Sequence, residues 1–596
     1  MSNDLKPIQW WEIWLNPIFR RYTRSRLRLA PLITWIVIVL TFTSTLFFLF
    51  YYGSEFRLQG SSAQAAQDAC IPVLFIQMLI LLFMGTGSVA GGISREAADG
   101  MVDYQRLTPM TPLSKIVGYL FGLPIREYVL FATTLPFTIY CIFVGNIPLG
   151  VVAEVYGMLF TSAILYHLTG CVAGTVVKRR HFAGRVAQIM VIFLYFVLPG
   201  LLGPLGFVLF EYLTMRPILT EQFESVRGPA FNALPSPEKI GGVPLFDWKL
   251  NTLSFSLLIQ CSLIIIFMVI LYRKWRQPTH HLLGKNFAII VHLWILTLIT
   301  GNALPLIKNE NELRGGRSER VAELLVQQRM ADKNYEEGED FDPEDATNVI
   351  AQSGILASLG LGFLALTFGM ITIITPDSDK YTRALRKAQK LKGGNDSNQN
   401  SLERINPPFN ADGATSLWHS LALAFLACIA WYSLIQNTDN LTKANNSNVY
   451  STIILTIIPL GLIPYALCYH SFLERFGKRA TLLFVIFAWL VPLLTSAVFG
   501  VRGIETIPTL LFGLSALASP VFLLVFPLLD TQGNERLLQI SGYFSVFAHI
   551  ALLVFLWWSL NRHKERIKNQ VFKSCLLYTS DAADERSSVD LGGRRI

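Results

Sequence analysis

Charge is scarce in this chain. Only 15% of its 596 residues are Asp, Glu, Lys or Arg, where soluble globular domains carry about a quarter. The seven cysteines form no CxxC pair. Cys70, Cys141, Cys171, Cys261, Cys428 and Cys468 lie in or beside apolar stretches, where cysteine behaves as a small hydrophobe. A disulfide framework is therefore not indicated, and neither is a cysteine metal site. The histidines show no HExxH or similar ligand spacing, so no metal is expected. A G-x-x-x-x-G-K-[ST] phosphate loop is also missing. The nearest fragment, Leu283-Gly284-Lys285-Asn286, lacks the upstream glycine and the following hydroxyl, so ATP hydrolysis is not expected on this chain. Alternating polar and apolar decamers, the mark of a membrane β-barrel, are absent as well.

What is abundant is apolar sequence: 52% of residues are hydrophobic. It comes in blocks of about 18–25 residues, the length a helix needs to cross a hydrocarbon core of about 30 Å. The pattern predicts an all-α polytopic membrane protein. The net charge of +9 sits mainly at the ends of these blocks, as the positive-inside rule requires, and does not point to nucleic acid.

The expected spans run near Leu29–Tyr52, Ile71–Gly91, Glu127–Val144, Val151–Val177, Val186–Glu211 and Leu253–Tyr272. A second set runs near Phe287–Leu306, Ile355–Ile374, Leu417–Ile435, Val449–His470, Thr481–Phe499 and Ile540–Leu560. A further block, Ile507–Leu529, is interrupted by Pro508, Pro520 and Pro527. If it crossed, the basic end carrying Arg562, Lys564, Arg566 and Lys568 would lie outside. A re-entrant dip keeps both chain ends cytoplasmic and satisfies the charge rule. Twelve spans in two six-helix sets plus one re-entrant segment is therefore the expected architecture. Both sets share a layout, including a proline-rich element, which fits an internal repeat.

The expected organisation follows. Residues 1–28 form an interfacial cytoplasmic segment, with Trp10, Trp11 and Trp14 at headgroup depth. The first half spans 29–273. The second spans 286–560, with an outer loop 308–352 holding a short helix near Ser318–Met330. An inner loop, 377–414, begins with a basic amphipathic stretch, Lys380–Lys392, and continues with the composition of a flexible linker. A basic cytoplasmic tail covers 561–574. The run from Cys575 to Glu585 resembles the in-frame translation of a sequencing adapter, so 575–596 is set apart as an expected non-native tail. The block from Leu29 is read as a retained span, being too long and too far from Met1 for a cleaved leader.

The inner stretch after the second span is the most informative. Ser94 suits a helix N-cap and Glu96 the first turn. Ala97, Met101, Tyr104 and Leu107 recur at helical spacing, with Arg95, Glu96, Asp99, Asp103 and Arg106 around them. Pro109 and Pro112 are expected to stop the helix. The result is a short charged helix, about 94–107, tied to a span at each end. It could dock a partner through its apolar stripe and pass the partner's motion into the membrane, or simply lie on the lipid surface. Arg126-Glu127 at the mouth of the third span could form an ion pair that pins this region.

The run from Ser94 to Phe131 resembles the coupling region of permease subunits in the type-two ABC exporter family. The matching positions are Glu96, Gly100, Leu107, Thr108, Pro109, Gly118 and Tyr119. The Asn16-Pro17-Ile18-Phe19-Arg20 segment is also similar to such permeases, and the likeness covers about residues 10–145. The second inner stretch, Thr375–Arg386, lacks the pattern. The resemblance implies a transport permease, not an enzyme; the basic cytoplasmic face, with no organelle-targeting segment, points to a bacterial inner membrane. The resemblance further implies docking of a separate ABC ATPase subunit that holds ATP and Mg, and it allows a second permease copy. It assigns partner coupling to Arg95, Glu96, Asp99, Gly100, Met101, Tyr104, Arg106, Leu107, Thr108 and Pro109.

Other ionisable residues in or near spans are Glu154, His167, Glu211, His292 and His549, candidates because such groups are costly in lipid. Glu154 and Glu211 fall near outer ends, where water reaches them. His280-His281 falls in a basic loop and is expected to be solvated. Two alternatives compete with the exporter. A membrane-embedded enzyme needs convergent Asp, His or Arg at one depth, and an ion-coupled secondary transporter needs midplane charges; the sequence offers neither pattern.

Overall fold

The computed structural model describes residues 9–58, 61–106, 108, 110–176, 182–227, 242–277, 280–308, 343–392, 406–438, 449–500, 506–515 and 535–592. Apart from one two-stranded hairpin, Val243–Leu245 against Trp248–Leu250, the regular elements are helices. Eleven of them, among the described residues, are long and apolar enough to cross a membrane. Val449–Phe476, a 28-residue helix containing Pro459 and Pro464, occupies the place of one further expected span. Contacts divide the chain into two compact units, Met1–Gly203 with Phe207–Leu282, and Pro204–Gly206 with Leu283–Ile596.

The first unit opens with a single 3₁₀ turn, Ile13–Leu15, and helix α1, Pro17–Arg26. Asn16 caps α1 by accepting from Ile18 N at 3.0 Å, and Pro17 stands where a helix has no use for an N–H. Trp10, Trp11 and Trp14 are exposed, while Ile18, Phe19 and Tyr22 on the opposite face are buried. Helix α2, Leu29–Leu58, follows. Helix α3, Ser62–Met78, begins with a capping box made by Ser61 and Gln64. It passes through a π-helical segment, Leu79–Met84, into α4, Gly85–Ala98. Helices α5, Met101–Arg106, and α6, Pro112–Gly122, lead to α7, Ile125–Val144, and α8, Leu149–Val176. Helix α9, Ala183–Ile192, continues through a π-helical segment, Phe193–Val197, into α10, Leu198–Leu202. Helix α11, Arg216–Arg227, and α12, Thr252–Arg276, complete the unit.

Several boundaries differ from expectation. The second span and the coupling segment are one continuous stack, Ser62–Ala98. Ser94 is therefore a buried mid-helix residue and not an N-cap. The break falls at Gly100, whose φ of 72° is open to glycine without steric cost. The short helix is consequently Met101–Arg106. Pro112 does not stop a helix; it opens α6 in its first turn, behind a Thr111 cap that accepts from Ser114 N at 3.2 Å. The expected span Val186–Glu211 ends at Leu202, because the Gly203-Pro204-Leu205-Gly206 run turns the chain. Glu211 lies in a following 3₁₀ segment, Val208–Leu213. The α11 helix and the hairpin were not anticipated.

The second unit contains α13, Lys285–Lys308; α14, Pro343–Ile374; α15, Ser378–Lys392; α16, Leu417–Gln436; and α17, Val449–Phe476. Helix α18, Thr481–Val485, joins α19, Val491–Gly500, through a π-helical segment, Ile486–Leu490. Helices α20, Thr506–Leu514, and α21, Glu535–Gly592, end it. The basic amphipathic stretch forms α15, whose Tyr381 and Leu385 pack on Ile567 and Val571 of α21. The basic segment 561–574 thus continues the helix of the last span. The expected helix Ser318–Met330, the linker 393–405 and most of the proline-interrupted block lie outside the described residues.

Candidate functional site

The segment singled out in the sequence is built around Glu96. This carboxylate is buried, and four groups from three other helices converge on it. Arg21 of α1 pairs with it, and the hydroxyls of Tyr22 (α1) and Tyr119 (α6) donate to its two oxygens. The Gln105 amide (α5) donates to Oε2 at 3.2 Å. A lone buried carboxylate would be strongly disfavoured; one with this many donors is held in place. Burial pushes the Tyr22 hydroxyl up to about 12, and burial raises that of Tyr119 as well. Both phenols therefore remain protonated donors throughout the physiological range.

The neighbours fix each partner in turn. Tyr119 stacks on Trp275 of α12 with centroids 5.2 Å apart. Lys115 Nζ donates to the Gln105 carbonyl at 2.5 Å, and Thr108 Oγ1 donates to the same carbonyl at 2.6 Å. Asn16 Nδ2 donates to the Ser114 carbonyl at 2.7 Å, locking α1 onto α6. At Gly118 the two helices touch: a Cβ there would lie 2.8 Å from Asn16 Oδ1. Beneath them Ile18, Tyr22, Ile93, Ile116, Leu123 and Trp275 belong to one apolar cluster, with Val102 packed against it.

Rigid underneath, the corner is exposed above. Val102 and Gln105 turn inward, while Arg95, Ala97, Ala98, Asp99, Gly100, Met101 and Tyr104 face out. Tyr104 is 68% exposed and Met101 40%. The apolar residues expected to form one stripe are thus split: those at Ala97, Met101 and Tyr104 are presented outward, and Leu107 lies outside the described residues together with Pro109. The side chain of Arg106 is likewise outside them. Of the coupling residues inferred from sequence, Glu96 is the buried anchor and not part of the presented surface.

Arg126 and Glu127 do form an ion pair, at 2.7 Å. Glu127 is fully buried and also accepts from Ser88 Oγ of α4 at 2.7 Å. The Arg126 guanidinium lies over the Trp35 ring of α2, 5.2 Å from its centroid. The pair therefore joins α2, α4 and α7.

Deeper in the same unit an apolar cleft of about 370 Å³ is lined by Leu74, Phe75, Met78, Tyr166 and Tyr195, with Glu211 among its few polar groups. Burial raises the Glu211 carboxyl above the ordinary carboxylate range, opposed by Arg216.

The remaining candidates are structural. His167 contacts Tyr128 Oη at 3.2 Å and the Leu81 carbonyl at 2.9 Å. His292 and His549 lie against the Leu423 and Ser545 carbonyls, and Glu154 accepts from Gln222 at 2.6 Å. His281, expected in solvent, is buried, because the loop after α12 folds back and the His280 carbonyl accepts from Lys274 at 2.7 Å. Among the described residues no group of His, Cys, Asp and Glu could hold a metal.

Sequence reasoning missed Arg21, Tyr22, Gln105 and, in the second unit, Glu474. Glu474 is also a buried node: Lys564 Nζ reaches it at 2.9 Å and Thr415 Oγ1 donates at 3.1 Å. Two of Glu96's partners carried a signal of their own, namely a tyrosine inside an otherwise basic helix and an amide one turn after Val102 on α5. No family model, curated protein or solved structure matches the chain.

Proposed function

We propose that this chain is the membrane-spanning permease subunit of an ATP-driven exporter of the ABC class, with a separate ATPase subunit docking on the Arg95–Tyr104 corner. One observation carries this reading. The corner presents Met101 and Tyr104 flanked by Arg95 and Asp99, while Glu96 clamps the same corner to α1 and α6. An exposed aromatic and aliphatic pair with charged flanks suits a partner's groove. The clamp suits force transfer, because a push on α5 moves α1, α4 and α6 together. In this reading α4 conveys the movement along the Ser62–Ala98 stack towards the apolar cleft at Leu74, Phe75 and Met78. A lipid or other hydrophobic substrate fits that cleft.

The same reading includes twelve crossings in two sets of six, with both ends cytoplasmic in a bacterial inner membrane. Both sets have a π-helical segment in the fifth span, with a proline two residues after its end (Pro199 and Pro492). This recurrence supports an internal repeat. ATP and Mg belong to the partner, and a second permease copy would complete the assembly.

The test is co-purification with an ABC ATPase encoded beside this chain, followed by ATPase measurement in lipid. Met101→Ala with Tyr104→Ala should abolish co-purification while leaving the thermal unfolding of the chain unchanged. Retained co-purification and coupled ATPase activity in that variant would overturn the docking assignment.

A further inference from the structure

A second cavity in the first unit, of about 680 Å³, is lined by four arginines: Arg26, Arg95, Arg126 and Arg185. Ser88 and Gln188 add polar groups, and no acidic residue lines it. Room for it comes from glycines where α4 meets α9: the Cβ that Gly91 lacks would lie 3.8 Å from the Gly184 Cα. Among the described residues Glu127 forms its ion pair with Arg126. Burial pushes the Arg26 guanidinium below its ordinary value; Glu127 opposes this, and Arg126 and Arg95 add to it. Like charges gathered around a recess repel unless an anion joins them.

The arginines stand near the ends of apolar helices long enough to cross a membrane. Arg26 lies just before the span that begins at Leu29, and Arg95 just before the Ala98 end of the next. Arg126 follows Ile125, and Arg185 closely follows Ala183, at two further span ends. Each is within about one helical turn of a helix end, a rise of about 5.4 Å, and basic side chains at span ends reach headgroup phosphates. Guanidinium forks match phosphate oxygens bidentately, and basic pockets between spans take anionic headgroups.

We propose that this cavity is a binding site for a phosphate-bearing anion, supplied either by a lipid headgroup or by a soluble phosphate. The proposal does not rest on the exporter reading. The test uses the full chain in nanodiscs of phosphatidylcholine with or without phosphatidylglycerol, followed by native mass spectrometry of retained lipid. A parallel arm adds inorganic phosphate in phosphatidylcholine alone and follows thermal unfolding.

The expected result is selective retention of phosphatidylglycerol, weakened about tenfold or more by the Arg26→Gln, Arg185→Gln double variant, since each lost fork removes a charge-assisted contact. Arg24→Gln makes the same type of charge change on an exposed residue outside the cavity and should leave retention unchanged. Protection by inorganic phosphate that the double variant loses, without lipid retention, supports the site and assigns a soluble source. If the double variant fails to fold in phosphatidylcholine, Arg185→Gln alone, at an exposed position, decides. Binding in neither arm, or equal loss in Arg24→Gln, overturns the proposal.

Discussion

Replacing Glu96 by glutamine keeps the shape of the side chain and removes its charge. Two phenols and one amide then donate to a neutral group. A hydrogen bond to a charged acceptor contributes about 1.5–3 kcal/mol and a neutral one about 0.5–1.5 kcal/mol, so the two phenol contacts together lose about 2 kcal/mol. The new NH₂ also faces a donor, and a buried donor left without an acceptor costs about 1–3 kcal/mol. Arg21 adds little to this sum, because its side chain is 40% exposed and water replaces the pairing. The expected destabilisation is about 3–5 kcal/mol. Reversible denaturant unfolding in micelles, followed by tryptophan fluorescence, would measure it. A double-mutant cycle with Tyr119→Phe isolates the contact and should return a coupling of about 0.5–3 kcal/mol. A Glu96→Gln protein within about 0.5 kcal/mol of wild type, the range of a featureless surface site, or a cycle with no coupling, would refute the view that this carboxylate holds the corner together.

Three further outcomes follow from the geometry. Gly118→Ala should destabilise the chain by about 1–3 kcal/mol, the usual cost of overpacking, and speed tryptic cleavage within α1. Unchanged cleavage would argue against α1–α6 contact at that glycine. Gly100→Val should cost about 1–2 kcal/mol through its left-handed backbone alone, because nothing lies within 4 Å of the Cβ it would add. Gly100→Asn should cost less, and equal unfolding midpoints for the two variants would count against the turn. In the second unit, Glu474→Ala leaves its half-buried partners Lys564 and Thr415 behind, so a loss of about 1–3 kcal/mol is expected. Thermal unfolding of the purified chain, compared with Lys564→Met, would measure it.

Apolar block length made the helical, membrane-crossing character legible, because spanning a hydrocarbon core depends on composition over about 20 residues. The Arg126–Glu127 pair was legible for the opposite reason: adjacent residues need no knowledge of the fold. The Glu96 node was half legible. Its sequence neighbourhood drew attention, but Tyr22 lies 74 residues away in sequence, and no local period encodes that meeting. The same limit explains the misplaced N-cap. Ser94 has the chemistry of a cap, yet the helix arriving from Ser62 buries it before a cap can form. Gly100 carried the true break, and a single glycine in a polar stretch does not announce a left-handed turn. Of the four arginines of the second cavity, Arg95 was read as a coupling residue and Arg126 as half of an ion pair, and nothing local marked Arg26 or Arg185; only the packing of α1, α4, α7 and α9 gathers them.

The π-helical segment Leu79–Met84 has a consequence for movement. A π turn holds one residue more than the α turn it replaces. Closing it to ordinary α geometry would rotate one end of the Ser62–Ala98 stack against the other by about 100°, one residue's worth of helix. The lower end is clamped by the convergent donors on Glu96, so the upper end would have to turn. Leu74, Phe75 and Met78, which line the apolar cleft, stand on that upper end. Such a closure would reshape the cleft while leaving the corner at Glu96 in place, and it would have to break the hydrogen bonds of Gln77 to Thr134 and Thr138.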